Sequence, residues 1–276
     1  ALSQGVHLVF DRSFLEGDSA IMVPHTSDGR VMFAIPWHGH TLVGTTDTPI
    51  ETPTLEPRPF DEEVEFILQT AAQYLDKPPS RKDVLSVYTG IRPLVKANEG
   101  ESTAALSRDH TIRIESSGFI TITGGKWTTY RHMAEDCVNQ AAMLGKLDER
   151  PCVTRTLNVH GFHQNATKFG DLEMYGADAP AIEALMRSEP ELAEPLDAEL
   201  PYVAAQVAWA ARHEMARTLD DVLSRRMRAL ILNSGAALRM APRAAAILAR
   251  ELGRDDAWRD AQIKEFAIVA EGYQLK

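Results

Sequence analysis

GGKWTTYRHMAEDCV, residues 124–138, joins two kinds of periodicity, and its reading decides the fold. Just before it, Ile120 and Ile122 alternate with Phe119, Thr121 and Thr123, the period of two that a strand requires. Within it and beyond, Met133, Cys137 and Ala141, then Ala134, Val138 and Ala142, recur at helical spacing. A strand therefore passes into a helix through two glycines, a lysine and two threonines. A helix N-terminus carries unpaired N–H groups and a partial positive charge, and glycines ahead of it let a ligand approach the backbone without a Cβ in the way. GGKWTT thus reads either as an anion cradle or as a plain helix cap with glycines for tight packing. A phosphate loop of the Walker type is excluded, because Ile120 and Trp127 stand where that pattern needs a glycine and a hydroxyl residue.

Towards the N-terminus the chain predicts antiparallel strands arranged as a meander: VHLVF, AIMVP, VMFAIPW and TLVGTTD, with turns at 27–29 and 38–40. A proline-rich link (49–59) leads to a helix capped by Asp61, whose Val64, Ile67, Leu68, Ala71 and Leu75 form one apolar stripe. Residues 84–95 read as a further strand, kinked at Pro93, followed by a polar loop and a strand through ALSRDHTIRIE. Beyond about 150 the character changes. After an extended piece at 154–159, helices are predicted from Val203 to Glu214, from a Thr218 cap to Leu232, from Pro242 to a stop at Gly253, and from Asp256 to Gly272. The fold class is α+β, a mixed half followed by a helical half, and the chain opens on a strand as though something preceded it.

Composition narrows the function. Of 276 residues, 44% are hydrophobic and 25% charged, enough apolar material for one large or two modest domains, and the net charge of −10 with no long basic run argues against nucleic acid. Any bound anion needs a local basic pocket. Cys137 and Cys152 have neither metal-ligand nor redox-pair spacing and read as reduced thiols, Cys137 on the apolar face of its helix. No apolar run approaches the roughly 20 residues of a membrane span.

A few side chains stand out. His7 lies between Val6 and Leu8 and points to the opposite face from both, as a catalyst or as a hydrogen-bonded core residue. Arg92, in the largely apolar GIRPLV, needs an anionic partner, supplied by a ligand or by one of the chain's 39 acids. Arg108 is a weaker candidate of the same kind. His38 and His40 decorate a turn and lack a third metal ligand nearby.

Taken in order, GVHLV, SDGRVMFAIPW, GTTDTP, GIRPLV, SRDH, GFITITGGKWTTYRHMAED and DDVLSRRMRA resemble the FAD-dependent glycerol-3-phosphate dehydrogenases, especially the mitochondrial, quinone-reducing branch. The family's Gly-rich N-terminal fingerprint is absent, so the chain is similar to the C-terminal portion of such an enzyme, and alone is expected to bind FAD poorly and show little activity. The resemblance implies an antiparallel substrate-binding cap at 1–108, the final strand and helix of a D-amino-acid-oxidase-like FAD domain at 109–148, and a helical C-terminal domain at 149–276. It implies His7 as the base for the substrate hydroxyl, Arg92 and Arg108 on the substrate phosphate, and Thr45 lining the site. Gly124, Gly125, Lys126, Trp127, Thr128 and Thr129 would lie against the flavin, with Lys126 also near substrate. Its partners would be glycerol 3-phosphate, dihydroxyacetone phosphate, a quinone and, through the full-length enzyme, a membrane surface: the cytoplasmic face of a bacterial membrane or the mitochondrial inner membrane. A homodimer is one assembly open to it. Two other readings stay open. One is an oxygen-using oxidase, and the other a non-catalytic docking module presenting Arg225 and Arg226.

Overall fold

Strand β1, Leu2–Asp11, is covered on both faces: Val6, Leu8, Val9 and Phe10 are fully buried, as is Ser3. So apolar a strand belongs in the middle of a sheet, and that is where it lies. The computed structural model describes residues 2–24, 26, 29–93, 109–148 and 150–275. These residues form two compact units: 1–4, 47–53 and 91–160 in the first, and 5–46, 54–90 and 161–276 in the second.

In the second unit, β1 is followed by β2 (Ile21–Val23), β3 (Met32–Trp37) and β4 (His40–Gly44), all antiparallel. The expected meander is corrected in one respect: the order is β2-β3-β4-β1, so β1 pairs with β4 and not with its neighbour in sequence. The three-residue β2 takes the edge, where a short strand leaves few unpaired backbone groups. The turn expected at 27–29 falls largely outside the described residues. The β3–β4 turn is the predicted one. His38 (φ 46°) and Gly39 (φ 73°) both adopt positive φ, as a two-residue hairpin loop requires.

The link then reaches α1, Asp61–Ala71, which buries Val64, Ile67, Leu68 and Ala71 against the sheet as the stripe predicts. Its cap differs from expectation. Asp61 is already helical, Phe60 stands at the cap position, and Glu63 reaches back so that its Oε2 accepts from the Phe60 N–H at 3.0 Å. Strand β6, Val84–Pro93, pairs with β1.

The first unit holds the start of β1 paired with β5, Thr48–Ile50, together with the hairpin of β7 (His110–Ile114) and β8 (Ile120–Gly124). Helix α2, Tyr130–Leu144, follows β8. The His110 Nε2 lies 2.9 Å from Asp136 Oδ2, tying the hairpin to α2. The helical periodicity is met, but its apolar stripe is not buried among the described residues: Val138 is 64% exposed, Ala134 and Ala141 are exposed too, and Met133, Cys137 and Ala142 are only part-buried. Residues 154–159 form turn and irregular backbone rather than an extended strand, because no neighbouring strand among the described residues supplies ladder partners.

The helical half belongs to the second unit. It comprises α3 (Ala179–Ser188), α4 (Ala204–His213), α5 (Ala229–Leu232), α6 (Ser234–Leu252) and α7 (Asp256–Ala270). Helix α4 is buried nearly all round, and α6 offers it an alanine-rich face, Ala237, Ala241, Ala244 and Ala245 among them, which lets the helix axes approach closely. Two predicted helices are corrected. The stretch from Thr218 is a wide π-helical turn at Asp221–Arg226, broken at Arg228, which adopts the left-handed conformation (φ 59°) before α5. Helix α6 begins at Ser234, well before Pro242, because the Asn233 side chain caps it by accepting from the Ala236 N–H at 3.0 Å. Burial of the flanking alanines outweighs the cost of an internal proline, about 3 kcal/mol. Gly253 (φ 62°) ends the helix as predicted. Two hydroxyls fasten this half to β6: Ser86 donates to the Leu230 carbonyl at 2.8 Å, and Ser234 to the Leu85 carbonyl at 3.0 Å.

Candidate functional site

In the second unit, register places His7 of β1 directly opposite Gly44 of β4. Val6 and Leu8 point into the core and His7, on the other face, is half-buried, the orientation that alternation predicts. The imidazole stacks on Tyr88 of β6, with ring centroids 5.1 Å apart and planes 8° from parallel. Burial pushes the Tyr88 phenol up to about 12, so its hydroxyl stays protonated at neutral pH. A Cβ on Gly44 would lie 2.4 Å from His7 Cδ2, so the ring occupies the space a side chain would take.

The next residues secure this corner. Thr45 is part-buried and its hydroxyl donates to the Thr46 carbonyl at 3.2 Å. The Thr46 hydroxyl accepts from the Val6 N–H at 3.0 Å and donates to Glu63 Oε1 at 2.9 Å. Because Glu63 also holds the first turn of α1, one buried carboxylate joins the end of β4, the backbone beside His7 and the helix start.

In the first unit, Arg92 donates to Asp47 Oδ1 at 3.2 Å, and the Ser3 hydroxyl donates to the same oxygen. The guanidinium is 29% exposed and the carboxylate 10%, so Arg92 has an acid of its own chain beside it and still reaches solvent. Asp47 escaped the sequence reading as a partner, although it sits in the GTTDTP motif. Arg108 lies outside the described residues.

The glycine turn is laid open. Gly124 (φ 76°) and Gly125 (φ 78°) both take the left-handed region that favours glycine, and a Cβ on Gly125 would meet Met133 Sδ at 2.4 Å. Lys126 then caps a single 3₁₀ turn, Trp127–Thr129, that feeds α2. The Thr129 N–H and hydroxyl both donate to the Lys126 carbonyl at 3.0 Å. Trp127 is 85% exposed and stacks on Tyr130, while Gly124, Lys126 and Thr128 are exposed beside it.

Elsewhere, His40 Nδ1 lies 2.8 Å from the His38 carbonyl, and burial first, then nearby Arg228, holds the His38 imidazole below its usual pKa. Arg225 pairs with Asp220 and Asp221, and Arg226 donates twice to the Glu214 carbonyl, so both are engaged by their own chain. No group of three or more His, Cys, Asp or Glu side chains is placed to hold a metal among the described residues.

A family model described as the C-terminal domain of alpha-glycerophosphate oxidase matches residues 120–259, and one described as FAD dependent oxidoreductase matches residues 2–131. The chain belongs to this oxidoreductase family. Its α+β body followed by a helical C-terminal domain is the family's fold. A probable mitochondrial glycerol-3-phosphate dehydrogenase of Caenorhabditis elegans is 38% identical over 96% of this chain and 40% of its own length. The mitochondrial glycerol-3-phosphate dehydrogenase of Homo sapiens is 35% identical over 99% of this chain and 41% of its own. Among solved structures, the glycerol-3-phosphate dehydrogenase from Bacillus halodurans complexed with FAD superimposes with a TM-score of 0.79 at 28% identity, covering 100% of this chain and 58% of that one. The chain therefore spans about 40% of the length of the curated relatives it matches.

Proposed function

We propose that the whole protein is an FAD-dependent dehydrogenase that oxidises sn-glycerol 3-phosphate to dihydroxyacetone phosphate and passes the electrons to a quinone. The observation that carries this reading is the family membership of both halves, joined to a strand–GGK–helix element whose backbone lies open where a flavin edge would rest. The residues fit that cofactor: two glycines at positive φ and an exposed Lys126–Thr128 run precede a 15-residue helix, a surface that accepts a planar, partly anionic ring edge. Bound FAD supplies the hydride acceptor. This chain would supply the rest of the wall: Gly124 and Gly125 give close approach, Lys126 and the helix terminus stabilise negative charge by up to about 2 kcal/mol, and Trp127, Thr128 and Thr129 complete the contact.

For the substrate, His7 would accept the proton of the secondary hydroxyl, Arg92 and Arg108 would orient the phosphate, and Thr45 and Lys126 would line the pocket. In the whole protein, 1–108 would serve as the substrate cap, 109–148 as the end of the FAD domain and 149–276 as the helical domain. The exposed stripe of α2 would pack on the rest of the FAD domain. No helix among the described residues is long and apolar enough to cross a membrane. The proposed location is peripheral, on a mitochondrial inner or bacterial cytoplasmic membrane, with a homodimer as the assembly to test.

Purified full-length protein should bleach its flavin on addition of glycerol 3-phosphate and recover with a soluble quinone, with little peroxide. Dominant peroxide formation would assign oxygen as acceptor, and an unbleached flavin would remove the substrate assignment. Arg92→Ala should raise KM for glycerol 3-phosphate on the order of 10²-fold through loss of a charge-assisted phosphate contact, while any turnover of glycerol, which has no phosphate to hold, should change far less. Equal losses on both substrates would leave Arg92 as the Asp47 partner alone.

A further inference from the structure

We infer that Tyr88 is a positioning residue for His7, and that its ring together with the bare backbone of Gly44 holds the imidazole in the orientation proton abstraction needs. This inference rests on the reading of His7 as the base. A histidine on a strand has several staggered side-chain orientations, and a base delivers its full effect only when one nitrogen stays within hydrogen-bond reach of the proton it takes. Two neighbours narrow that choice here. On one side, β4 presents Gly44, whose missing side chain leaves room for Cδ2, Cγ and Nε2 of the ring, at 2.4, 2.8 and 3.0 Å from where a Cβ would be. From β6, Tyr88 lays its ring nearly parallel to the imidazole at a 5.1 Å centroid separation, within the range of offset stacking.

The ring face is the active feature of Tyr88. The phenol remains neutral through the working pH range, so it offers an aromatic surface rather than a charge. Such a face favours the imidazolium formed after proton transfer, and gives the pair a signature that a simple core contact lacks. Gly44, Tyr88 and His7 all belong to the second unit, and none of the residues already assigned to phosphate or flavin takes part.

The experiment uses the full-length, flavin-loaded enzyme with Tyr88→Phe, Tyr88→Leu, Gly44→Ala and, as reference, His7→Gln. Tyr88→Phe keeps the stack and should retain kcat within about twofold. Tyr88→Leu should lose on the order of 10-fold or more in kcat with little change in KM, because an imidazole without the stacked ring beside it spends less time in the reactive geometry. Its acid limb in kcat/KM should also move down by about half a pH unit. Gly44→Ala should reproduce the kcat loss. A readout independent of turnover is carbethoxylation of His7 followed by mass mapping, which should accelerate in Tyr88→Leu and not in Tyr88→Phe.

Equal activity and equal pH limbs for the Leu and Phe variants overturn the inference, as does equal damage in both. If His7→Gln is inactive while Tyr88→Leu is normal, the positioning role alone fails. If His7→Gln turns over normally, the base assignment fails and takes the positioning role with it. Poor flavin content in Gly44→Ala shifts the decision to the Tyr88 pair, whose ring-for-ring comparison stands without it.

Discussion

Replacing His7 with alanine in the full-length, flavin-loaded enzyme is expected to lower turnover by on the order of 10² or more, with substrate affinity far less affected. Taking a hydroxyl proton in step with hydride departure calls for a base whose pKa is close to working pH, and histidine is the side chain suited to that task. Its place in the sheet supports the assignment. Fully buried Val6 and Leu8 anchor β1 in the core, so His7 is forced to the opposite face and cannot exchange roles with them without a one-residue slip of the whole strand. Truncation to alanine also removes the partner of Tyr88 and empties the space above Gly44, so some loss of stability is expected alongside. Turnover is therefore to be measured per bound flavin, and with His7→Gln, which refills part of that space without restoring the base. Parent-level turnover in both variants at neutral pH would remove His7 from the chemistry.

Much of this architecture was legible in the sequence because it depends on short-range pattern. Alternation gave the strands and the face of His7. The 3.6-residue stripe gave α1 and α2, and the paired glycines marked a strand-to-helix turn where both adopt positive φ. What escaped depends on distant partners. Arg92 demanded an anion, but nothing local selects Asp47, which lies 45 positions away and reaches it through the pairing of β5 with β1 and of β6 with β1. Tyr88 looks like any strand aromatic until β6 is known to lie beside β1. The break at Arg228 was invisible for a different reason: arginine carries no preference for the left-handed region, and the conformation is imposed by the buried packing of Met227, Ala229 and Leu230 around it. Pro242 misled in the opposite sense, since its usual meaning as a helix start was overridden by the Asn233 cap. The helix at 179–188 carries a readable stripe, Ile182, Leu185 and Met186, that escaped the sequence reading because the helix is only ten residues long, whereas the kinked 3₁₀ stretch before it has no sequence period to read.

That kinked stretch carries the largest expected effect on stability. Gly176 has φ 52° and ψ −116°, backbone open essentially to glycine alone, and a Cβ there would lie 1.9 Å from the Gly161 carbonyl oxygen. The same oxygen accepts from the Ala177 N–H at 2.9 Å, so it cannot move away without giving up a hydrogen bond. Unlike a clash with a long side chain, this one sets backbone against backbone. Gly176→Ala is expected to destabilise the chain by about 3 kcal/mol or more, combining the dihedral penalty with overpacking. Gly170 supplies the control. Its dihedrals are nearly the same, φ 54° and ψ −126°, yet a Cβ there meets nothing within 4 Å. Gly170→Ala should therefore cost only the dihedral part, about 1–3 kcal/mol. Urea unfolding followed by tryptophan fluorescence, to which buried Trp209 contributes, reads both. Equal midpoints for the two variants would mean that the Gly161 segment yields freely, and that the close approach of the two backbone segments contributes nothing to holding Tyr175 and Leu172 in the helical core.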